Sequence, residues 1–224
     1  GYLTDIRTAA AGAVAAKYLS REDAKSVGIV GTGMQARLQL KALLLVRPIE
    51  HVVFWGRHKA HADACMHWCK EQLNVAASSV GTIDELTQTC DIIISTTPAQ
   101  TPLLSYVQLQ KGQHVTAMGS DAPTKAELSD DVASRADLFV VDHLTQSQKL
   151  GELRLALANG KVSRSAVFPS LGSVVSGHHE GRTHASQITV CDLTGTGVQD
   201  TAIAHLAYQR ALQSGMGTLI SRSS

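Results

Sequence analysis

Short apolar runs alternate along this chain with longer stretches in which apolar residues recur at helical spacing. The short runs are rich in valine and isoleucine, which is typical of strands buried on both faces of a sheet. They predict strands at Val27–Val30, His51–Trp55, Val75–Val80, Asp91–Ser95, His114–Met118, Leu138–Val141 and Gln187–Cys191. Helices are predicted at Thr4–Leu19, Gln35–Val46, His58–Leu73, Ile83–Thr89, Gln146–Asn159 and Val198–Ser214, with one short helical turn within Ser163–Val175. This alternation indicates an α/β fold with a parallel sheet.

The first predicted strand runs into a glycine-rich turn, Gly31–Ala36, and a predicted helix follows at once. In such a turn Gly31 permits the tight change of direction, Gly33 lets the backbone approach a pyrophosphate, and Ala36 keeps the helix close to the strand. The unpaired N–H groups at the start of the helix then face the phosphates. An ordinary connection is the alternative. The order of strand, turn and helix favours a dinucleotide site in a Rossmann-type, doubly wound, mostly parallel sheet with flanking helices at both chain ends.

The end of the second predicted strand bears on which dinucleotide is bound. In NAD enzymes an acidic residue at this place accepts hydrogen bonds from the ribose 2′-hydroxyl. This chain has Gly56 there, followed by Arg57, His58 and Lys59. Gly56 leaves no carboxylate to repel a 2′-phosphate, and the planar cation of Arg57 is able to grip one. The pattern favours NADP(H), with NAD(H) and a merely solvated Arg57 as the alternative.

Composition and charge argue against several other classes of function. The chain has 224 residues, with 20 Lys and Arg against 19 Asp and Glu, and a formal net charge of +1. This balanced charge favours neither a nucleic-acid partner nor a membrane surface, and no apolar run approaches the ~20 residues that span a bilayer. The four cysteines show no disulfide-framework spacing, which predicts a reducing, cytoplasmic location.

Two later segments carry candidate chemistry, because each follows a predicted strand and ligands bind at the carboxyl ends of parallel strands. In the first segment, Asp121 precedes Lys125 by four residues, and such an Asp is a candidate acid or base near a nicotinamide. A turn-forming Asp is the alternative. In the second segment, a turn with Thr194 and Gly195 leads into the last helix and is able to lay backbone N–H groups beside the cofactor.

His61, Cys65 and Cys69 recur at four-residue spacing on one predicted helix, and such side chains can bind zinc. Along a straight helix they are spread over about 12 Å, so all three cannot converge on one ion. We therefore expect no metal site and a partly buried helix face instead. The histidines of the loop at 178–184 are expected to be surface residues.

Four segments together resemble the ornithine cyclodeaminase/mu-crystallin family in order and spacing, and the resemblance covers nearly the whole chain. The segments are Thr4–Ala10, Gly31–Ala36, Ser120–Leu128 and Asp192–Asp200. The resemblance implies a two-domain, usually homodimeric enzyme with hydride chemistry at the α-carbon of a small amino or imino acid. Reduction of a cyclic imino acid such as pyrroline-2-carboxylate is the leading expectation. Conversion of ornithine to proline with loss of ammonia, and non-catalytic NADPH binding, are the alternatives.

The resemblance also implies roles for individual residues. Arg7 matches an arginine that holds the substrate carboxylate, and Asp121 matches the catalytic acid or base. Met34 and Gln35 match the pyrophosphate turn. The other matched cofactor contacts are Thr8, Thr97 and Lys125.

Two departures from the family pattern matter. Cyclodeaminases of the family carry an acidic residue where this chain has Gly56, which favours a reductase. The family's amino-terminal substrate and dimerisation domain, with its catalytic lysine, has no counterpart in the sequence, and neither Lys17 nor Lys25 is placed to replace that lysine. The chain is therefore expected to be part of a larger enzyme, and to bind dinucleotide without turnover when alone.

These considerations divide the chain into three parts. Residues 1–25 are expected to link to the absent domain, 26–145 to form the dinucleotide-binding core, and 146–224 to form an extension with a further strand and a long helix. Without their partner domain, the two terminal helices are expected to pack on each other, to dimerise or to be poorly ordered.

Overall fold

Valine, isoleucine and other apolar residues form seven strands of one sheet within residues 1–218 and 220, which are the residues that this computed structural model describes. The strands are β1 (Ser26–Val30), β2 (His51–Trp55), β3 (Ala76–Ser79), β4 (Ile92–Ser95), β5 (His114–Ala117), β6 (Leu138–Val141) and β7 (Thr189–Asp192). Nearly all side chains of β1, β4 and β5 are buried, because they lie in the middle of the sheet with helices over both faces.

Helices connect the strands. Within the described residues they are α1 (Tyr2–Leu19), α2 (Met34–Leu43), α3 (Lys59–Leu73), α4 (Ile83–Thr89), α5 (Val132–Arg135), α6 (Leu144–Ser147), α7 (Leu153–Ala158), α8 (Leu171–Val175) and α9 (Gly197–Gln213). Local capping explains several boundaries. Thr82 Oγ1 accepts a hydrogen bond from Glu85 N (3.3 Å) at the start of α4, and Asn74 ends α3 in the left-handed region at φ +53°.

The strands lie in the order β3-β2-β1-β4-β5-β7-β6, and every neighbouring pair is parallel. The chain moves outward from β1 to β3 and then crosses to β4, so the order reverses between β1 and β4. The prediction of a Rossmann-type, doubly wound sheet is confirmed, and among the described residues the sheet is parallel throughout. β7 lies between β5 and β6, so the segment after α8 contributes an internal strand.

Successive side chains of the strands enter different apolar cores, as the alternation of a strand requires. Val30 and Ile93 join the core that contains α4, α5 and α7. Ile29 and Ile94 join the core that contains α2 and α3. A smaller cluster places α1 and α8 over β6 and β7. Because every neighbouring pair of strands is parallel, the carboxyl ends of the strands lie at one edge of the sheet.

Two predicted helices differ from the observed ones. α1 begins at Tyr2, two residues before the predicted start at Thr4, and Gly1 precedes it without a side-chain hydrogen bond. The predicted helix at 146–159 is two short helices, α6 and α7. The chain turns between them at Gly151, where a Cβ would lie only 2.3 Å from a carboxylate oxygen of β7, so the backbone approaches β7 too closely for a continuous helix with side chains.

The terminal helices α1 and α9 contact each other. α1 buries one side against the sheet, and its Leu19 has no exposed surface. α9 contains no fully buried residue, and Leu206 and Leu212 are 41% and 54% exposed. Of the expected outcomes, packing on each other is therefore observed, while the outer apolar residues of α9 stay exposed.

Asp91 holds the opposite, amino edge of the sheet together. Its Oδ2 accepts hydrogen bonds from Lys25 N (2.9 Å), Ser26 N (3.0 Å) and Ser26 Oγ (2.8 Å). Arg21 pairs with the other carboxylate oxygen. The start of β1 is thus bound to the start of β4 by one carboxylate.

Substitution of Gly31 would test whether the turn after β1 needs glycine. Its φ is +123°, and a Cβ would lie 2.7 Å from Thr96 Oγ1 and 3.0 Å from Thr96 O. We expect Gly31→Ala to lower the free energy of unfolding by about 2 kcal/mol, from backbone strain and this clash. Gly33→Ala is the matched control, because a Cβ there meets no described atom within 4 Å. Chemical denaturation measures both, and equal stabilities would contradict the interpretation.

Candidate functional site

The carboxyl ends of the strands meet at one edge, and most predicted site residues lie there. The loops after β2, β1, β4, β5 and β7 follow one another along this edge. They cross four strand spacings of about 4.8 Å, or about 19 Å in all. The predicted residues therefore line an elongated edge, with Arg57 and His58 at one end and Arg7, Thr194 and Gly195 at the other. The edge includes the reversal between β1 and β4, where ligands of such sheets bind.

The glycine turn lies at this reversal. Gly31 N donates a hydrogen bond to Trp55 O (2.9 Å), which ties the turn to the end of β2. Gly33 precedes α2, and no described side chain caps that helix. Ala36 is fully buried in the first turn of α2, whereas Gly33 is exposed and has open space beside it. The turn thus combines unpaired N–H groups with room for a ligand, as an anion site requires.

α1 lies beside the start of α2 and brings other predicted residues to the turn. Gln35 Nε2 donates to Asp5 O (3.3 Å) and Asp5 Oδ1 (3.2 Å), so its side chain joins α1 while its backbone remains in the turn. Thr8 is half-buried, and its carbonyl accepts a hydrogen bond from Gln39 Nε2 (3.0 Å). Met34 is 62% exposed in the first turn of α2.

The end of β2 carries exposed cations. Arg57 and His58 are both exposed, and the rings of His58 and His61 are 5.5 Å apart in an edge-to-face arrangement. A Cβ at Gly56 would lie 2.5 Å from Thr32 Cγ2, so an acidic residue would not fit there unless Thr32 moved. Lys59, which sequence analysis counted as additional positive charge, instead pairs with Asp63 at 2.7 Å.

One buried carboxylate joins the loops after β4 and β5. Glu127 Oε1 accepts a hydrogen bond from Thr97 N (2.5 Å), and Oε2 accepts from Gly119 N (2.7 Å) and Ser95 Oγ (2.8 Å). Glu127 has no exposed surface. Burial raises the pKa of Glu127, and the hydrogen bonds from Thr97, Ser95 and Gly119 oppose that rise.

Asp121 and Lys125 form an ion pair, with 2.6 Å between Asp121 Oδ1 and Lys125 Nζ. Asp121 lies in the loop after β5, and its side chain is 57% exposed. The predicted acid or base and the predicted cofactor contact are therefore brought together at the same edge as the glycine turn. The pairing holds the Asp121 carboxylate near one place on an otherwise exposed loop.

A second carboxylate shapes the turn after β7. Asp142 Oδ2 accepts hydrogen bonds from Thr194 N (2.8 Å) and Gly195 N (2.7 Å), and Asp142 Oδ1 accepts from Thr194 Oγ1 (2.9 Å). Gly195 has a φ of +83°. These two N–H groups, which sequence analysis offered to a cofactor, are instead bound to Asp142. Thr194 and Gly195 nevertheless lie at the carboxyl edge, and their position beside a cofactor stays a prediction.

Arg7 lies beside the same turn. Arg7 Nε pairs with Asp200 Oδ1 (3.0 Å), and Arg7 Nη1 donates to Gln199 Oε1 (3.1 Å). A Cβ at Gly195 would lie 2.9 Å from Arg7 Nη1, so the guanidinium rests directly on the turn. Arg7 therefore joins α1 to α9 at the carboxyl edge. Its hydrogen bonds to α9 use Nε and Nη1, which leaves Nη2 as the third guanidinium nitrogen.

Three carboxyl groups are buried behind the edge, those of Glu127, Glu152 and Asp192. Glu152 accepts hydrogen bonds from Glu127 N (3.0 Å) and Leu128 N (3.1 Å), and Asp192 Oδ2 accepts from Glu152 N (2.9 Å). Burial and the charge of Asp192 raise the pKa of Glu152 to about 8. Burial, with the charge of Asp142, raises the pKa of Asp192 to about 7. Among the described residues, Asp192 Oδ1 has no hydrogen-bond partner.

Sequence reasoning assigned no role to Glu127, Glu152 or Asp142. The available signals were weak: Glu127 lies within the segment Ser120–Leu128, and Asp142 follows directly after a predicted strand. Apart from His143 N, which donates to the adjacent Asp142, their donors come from residues between 8 and 53 positions away, so local patterns do not reveal these contacts.

An apolar groove of about 440 Å³ lies between α1, α8 and α9. It is lined by Val14, Leu171, Ile203 and Leu206, and also by Arg7 and Gln199. A second hollow of about 450 Å³, beside Asp137 and Gln187, lies at the amino edge and away from the glycine turn. The first groove adjoins the site.

Residues 1–218 and 220 contain no group of three His, Cys, Asp or Glu side chains that could hold a metal ion. Cys65 and Cys69 are buried, and His61 is exposed. His178 and His184 are exposed in their loop, whereas His179 is half-buried. No helix in the described part of the chain combines the length and the apolar character needed to cross a bilayer.

The model of the "Ornithine cyclodeaminase/mu-crystallin family" matches residues 1–215. The chain belongs to this family. An "Uncharacterized cyclodeaminase" of Sinorhizobium fredii is 52% identical over 98% of this chain and 66% of its own length. "Delta(1)-pyrroline-2-carboxylate reductase" of Bacillus cereus is 36% identical over 98% of this chain and 67% of its own length. The chain thus spans about two thirds of the length of these relatives.

Among solved structures, the "Delta(1)-pyrroline-2-carboxylate reductase" of Thermococcus litoralis, in complex with NADH and L-proline, has a similar fold. Its TM-score is 0.92 at 29% sequence identity, and the match covers 98% of this chain and 68% of that chain. The family resemblance inferred from four sequence segments is therefore confirmed.

The buried carboxyls predict how stability depends on pH. Unfolded Asp and Glu titrate at their ordinary values near 4, whereas native Asp192 and Glu152 titrate at about 7 and about 8. The native state therefore holds more protons at pH 6, and its stability falls as pH rises through 7 and 8. Between pH 6 and 9, the free energy of unfolding of the Asp192→Asn variant is expected to fall by roughly 1.4 kcal/mol less than that of the unchanged protein, as measured by denaturation at each pH. Parallel pH profiles would contradict this.

Proposed function

We propose that the protein is an oxidoreductase that reduces a small cyclic imino acid of the pyrroline-2-carboxylate type with a nicotinamide dinucleotide, NADP(H) in preference to NAD(H). One observation carries the proposal. The relatives that match over 98% of the chain include a reductase of this substrate, and a solved reductase of the same name, in complex with NADH and L-proline, shares the fold. The open glycine turn at the reversal of strand order supports the cofactor assignment.

The dinucleotide would lie along the carboxyl edge. The space beside Gly33 and the uncapped start of α2 fit a pyrophosphate, held by backbone N–H groups of Met34, Gln35 and Ala36. Arg57 and His58 would bind the 2′-phosphate end. The other residues proposed to line the cofactor are Thr8, Gly31, Gly56, Thr97, Lys125, Thr194 and Gly195.

The bound nicotinamide would supply a hydride to the imine carbon. Arg7 would hold the substrate carboxylate through Nη2, because Asp200 and Gln199 fix its other nitrogens. Asp121, held by Lys125, would supply or position the proton that the imine nitrogen takes up. The apolar groove at α1 and α9 supports contact with further polypeptide, either another part of the protein or a second copy in a homodimer. The four free cysteines, all buried, are compatible with a cytoplasmic location.

An ornithine cyclodeaminase is the second candidate, and the 52% identity to a protein named as a cyclodeaminase favours it. In that reaction the cofactor is restored within each turnover. The natural full-length protein should therefore be incubated with pyrroline-2-carboxylate and NADPH, and separately with ornithine and NAD. Stoichiometric loss of NADPH supports the reductase, and ammonia release without net cofactor loss supports the cyclodeaminase. If neither is observed, the protein is a non-catalytic binder.

Arg57 tests the cofactor preference. Titration of the protein with NADPH and NADH is expected to show tighter binding of NADPH, and Arg57→Ala should remove most of that difference. A lost hydrogen bond to a charged phosphate is worth roughly 1.5–3 kcal/mol. Lys70→Ala, which removes an exposed cation from the far end of α3, should leave the preference intact. Equal affinities in the unchanged protein would refute the NADP(H) assignment.

Asp121 tests the proton-transfer role. Asp121→Asn keeps the shape of the side chain but removes its proton-handling carboxylate, so turnover should fall by about two to four orders of magnitude with little change in dinucleotide affinity. Asp130→Asn is the control, since Asp130 accepts a hydrogen bond from Asn159 rather than from the edge loops. Steady-state kinetics decides the matter. An Asp121→Asn protein within a few-fold of full activity would make Asp121 a turn residue only.

A further inference from the structure

The Glu127 carboxylate is the meeting point of two separate loops at the carboxyl edge. It accepts hydrogen bonds from Thr97 N in the loop after β4 and from Gly119 N in the loop after β5, at 2.5 and 2.7 Å. The two loops also touch directly, because a Cβ at Gly119 would lie 2.2 Å from Thr97 O. One fully buried side chain therefore connects the two loops just beyond the paired ends of β4 and β5.

Glu127 is itself held in place. Its backbone N–H donates to Glu152 Oε1 (3.0 Å), and its carbonyl accepts hydrogen bonds from Leu103 N (2.8 Å) and Leu104 N (3.0 Å). A carboxylate on such a fixed backbone has little freedom to follow a moving loop. The loops must follow the carboxylate instead.

We propose that Glu127 is a positioning residue for the reaction, which sets the loop of Thr97 and the loop of Asp121 in register with each other across β4 and β5. This inference rests on the proposed function, since it takes Thr97 as a cofactor contact and Asp121 as the proton-transfer group. Asp121 follows Gly119 by two residues, so freeing Gly119 displaces Asp121 relative to the cofactor.

Replacement of Glu127 by glutamine separates positioning from simple burial. Glutamine has nearly the same shape but only one acceptor oxygen, and its NH₂ group is a donor. If the NH₂ group faces Thr97 N, two donors oppose each other. If it faces Gly119 N, the Ser95 hydroxyl can turn to accept but the Gly119 N–H cannot. In either orientation one loop loses its hydrogen bond to the side chain at position 127. The second orientation is favoured because the Ser95 hydroxyl can change from donor to acceptor.

Asp91 offers a matched control at the other edge of the same sheet. Its carboxylate also accepts hydrogen bonds from two backbone N–H groups, of Lys25 and Ser26, and from a serine hydroxyl. Asp91→Asn therefore removes the same kind of interaction without touching the loops of Thr97 and Asp121. The two variants together distinguish a loss of stability from a loss of loop position.

The experiment compares the unchanged protein, Glu127→Gln and Asp91→Asn in their natural full-length form, with NADPH and pyrroline-2-carboxylate. For Glu127→Gln, kcat is expected to fall by roughly a hundredfold, as misplacement of a reacting group by about 1 Å does, while dinucleotide Kd changes far less. Amide hydrogen exchange at Gly119 should become faster. Asp91→Asn should lower thermal stability but keep kcat and the Gly119 exchange rate unchanged.

The inference is overturned if Gly119 exchange is unchanged in Glu127→Gln, or if Asp91→Asn lowers kcat as much as Glu127→Gln does. Should Glu127→Gln fail to fold, exchange in the unchanged protein decides. Slow exchange of the Thr97 and Gly119 amides, comparable with that of β4, supports the role, and fast exchange overturns it. A full-length protein without imine turnover would overturn the proposed function separately, and the exchange rates would still test whether Glu127 fixes the two loops.

Discussion

Backbone N–H groups in the loops beyond the carboxyl ends of a parallel sheet lie outside its ladders, and the arrangement of this protein depends on how they are satisfied. Buried or half-buried carboxylates accept many of them. Glu127 binds the loops after β4 and β5, and Asp142 binds the turn after β7. The turn after β1 has no such carboxylate at the start of α2, where no described side chain provides a cap. Side chains of the protein itself therefore accept hydrogen bonds from the loops after β4, β5 and β7. The N–H groups at the start of α2 have no such acceptor, and an anionic ligand would satisfy them.

Burial of these carboxyls has an energetic cost. Burial, with the charge of Asp192, raises the pKa of Glu152 to about 8, and burial, with the charge of Asp142, raises the pKa of Asp192 to about 7. Apolar residues of similar volume in such places often give equal or greater stability. The carboxyls are better understood through the backbone geometry that they impose, because an apolar side chain in place of Glu127 would leave the Thr97 and Gly119 N–H groups unpaired.

The sequence predicted what is local and missed what is not. The glycine turn is encoded within six residues, since Gly31 needs a positive φ and Gly33 needs open space, and both are observed. Strand positions follow from apolar runs for the same reason. The break at Gly151 was missed, because it depends on Asp192, 41 residues away in the sequence. The Glu127 contacts were missed on the same grounds. At 146–159 the helix-forming composition favours one continuous helix, but the close approach of Gly151 to Asp192 interrupts it.

Both carboxylates and cations satisfy backbone groups at the amino edge of the sheet, where Asp91 accepts hydrogen bonds from Lys25 N and Ser26 N. At the amino edge, Arg182 donates to the carbonyls of Leu19 (2.6 Å), Gln113 (3.0 Å) and Gln187 (2.6 Å), and burial lowers its pKa to about 10. Cations there are used to satisfy carbonyl oxygens. At the carboxyl edge, carboxylates are used to satisfy N–H groups, while Arg57 stays exposed. At the carboxyl edge the start of α2 has no side-chain cap and Arg57 is exposed, whereas Arg182 at the amino edge is engaged by carbonyl oxygens. The uncapped start of α2 and the exposed Arg57 distinguish the carboxyl edge, and together they support the proposed position of the dinucleotide there.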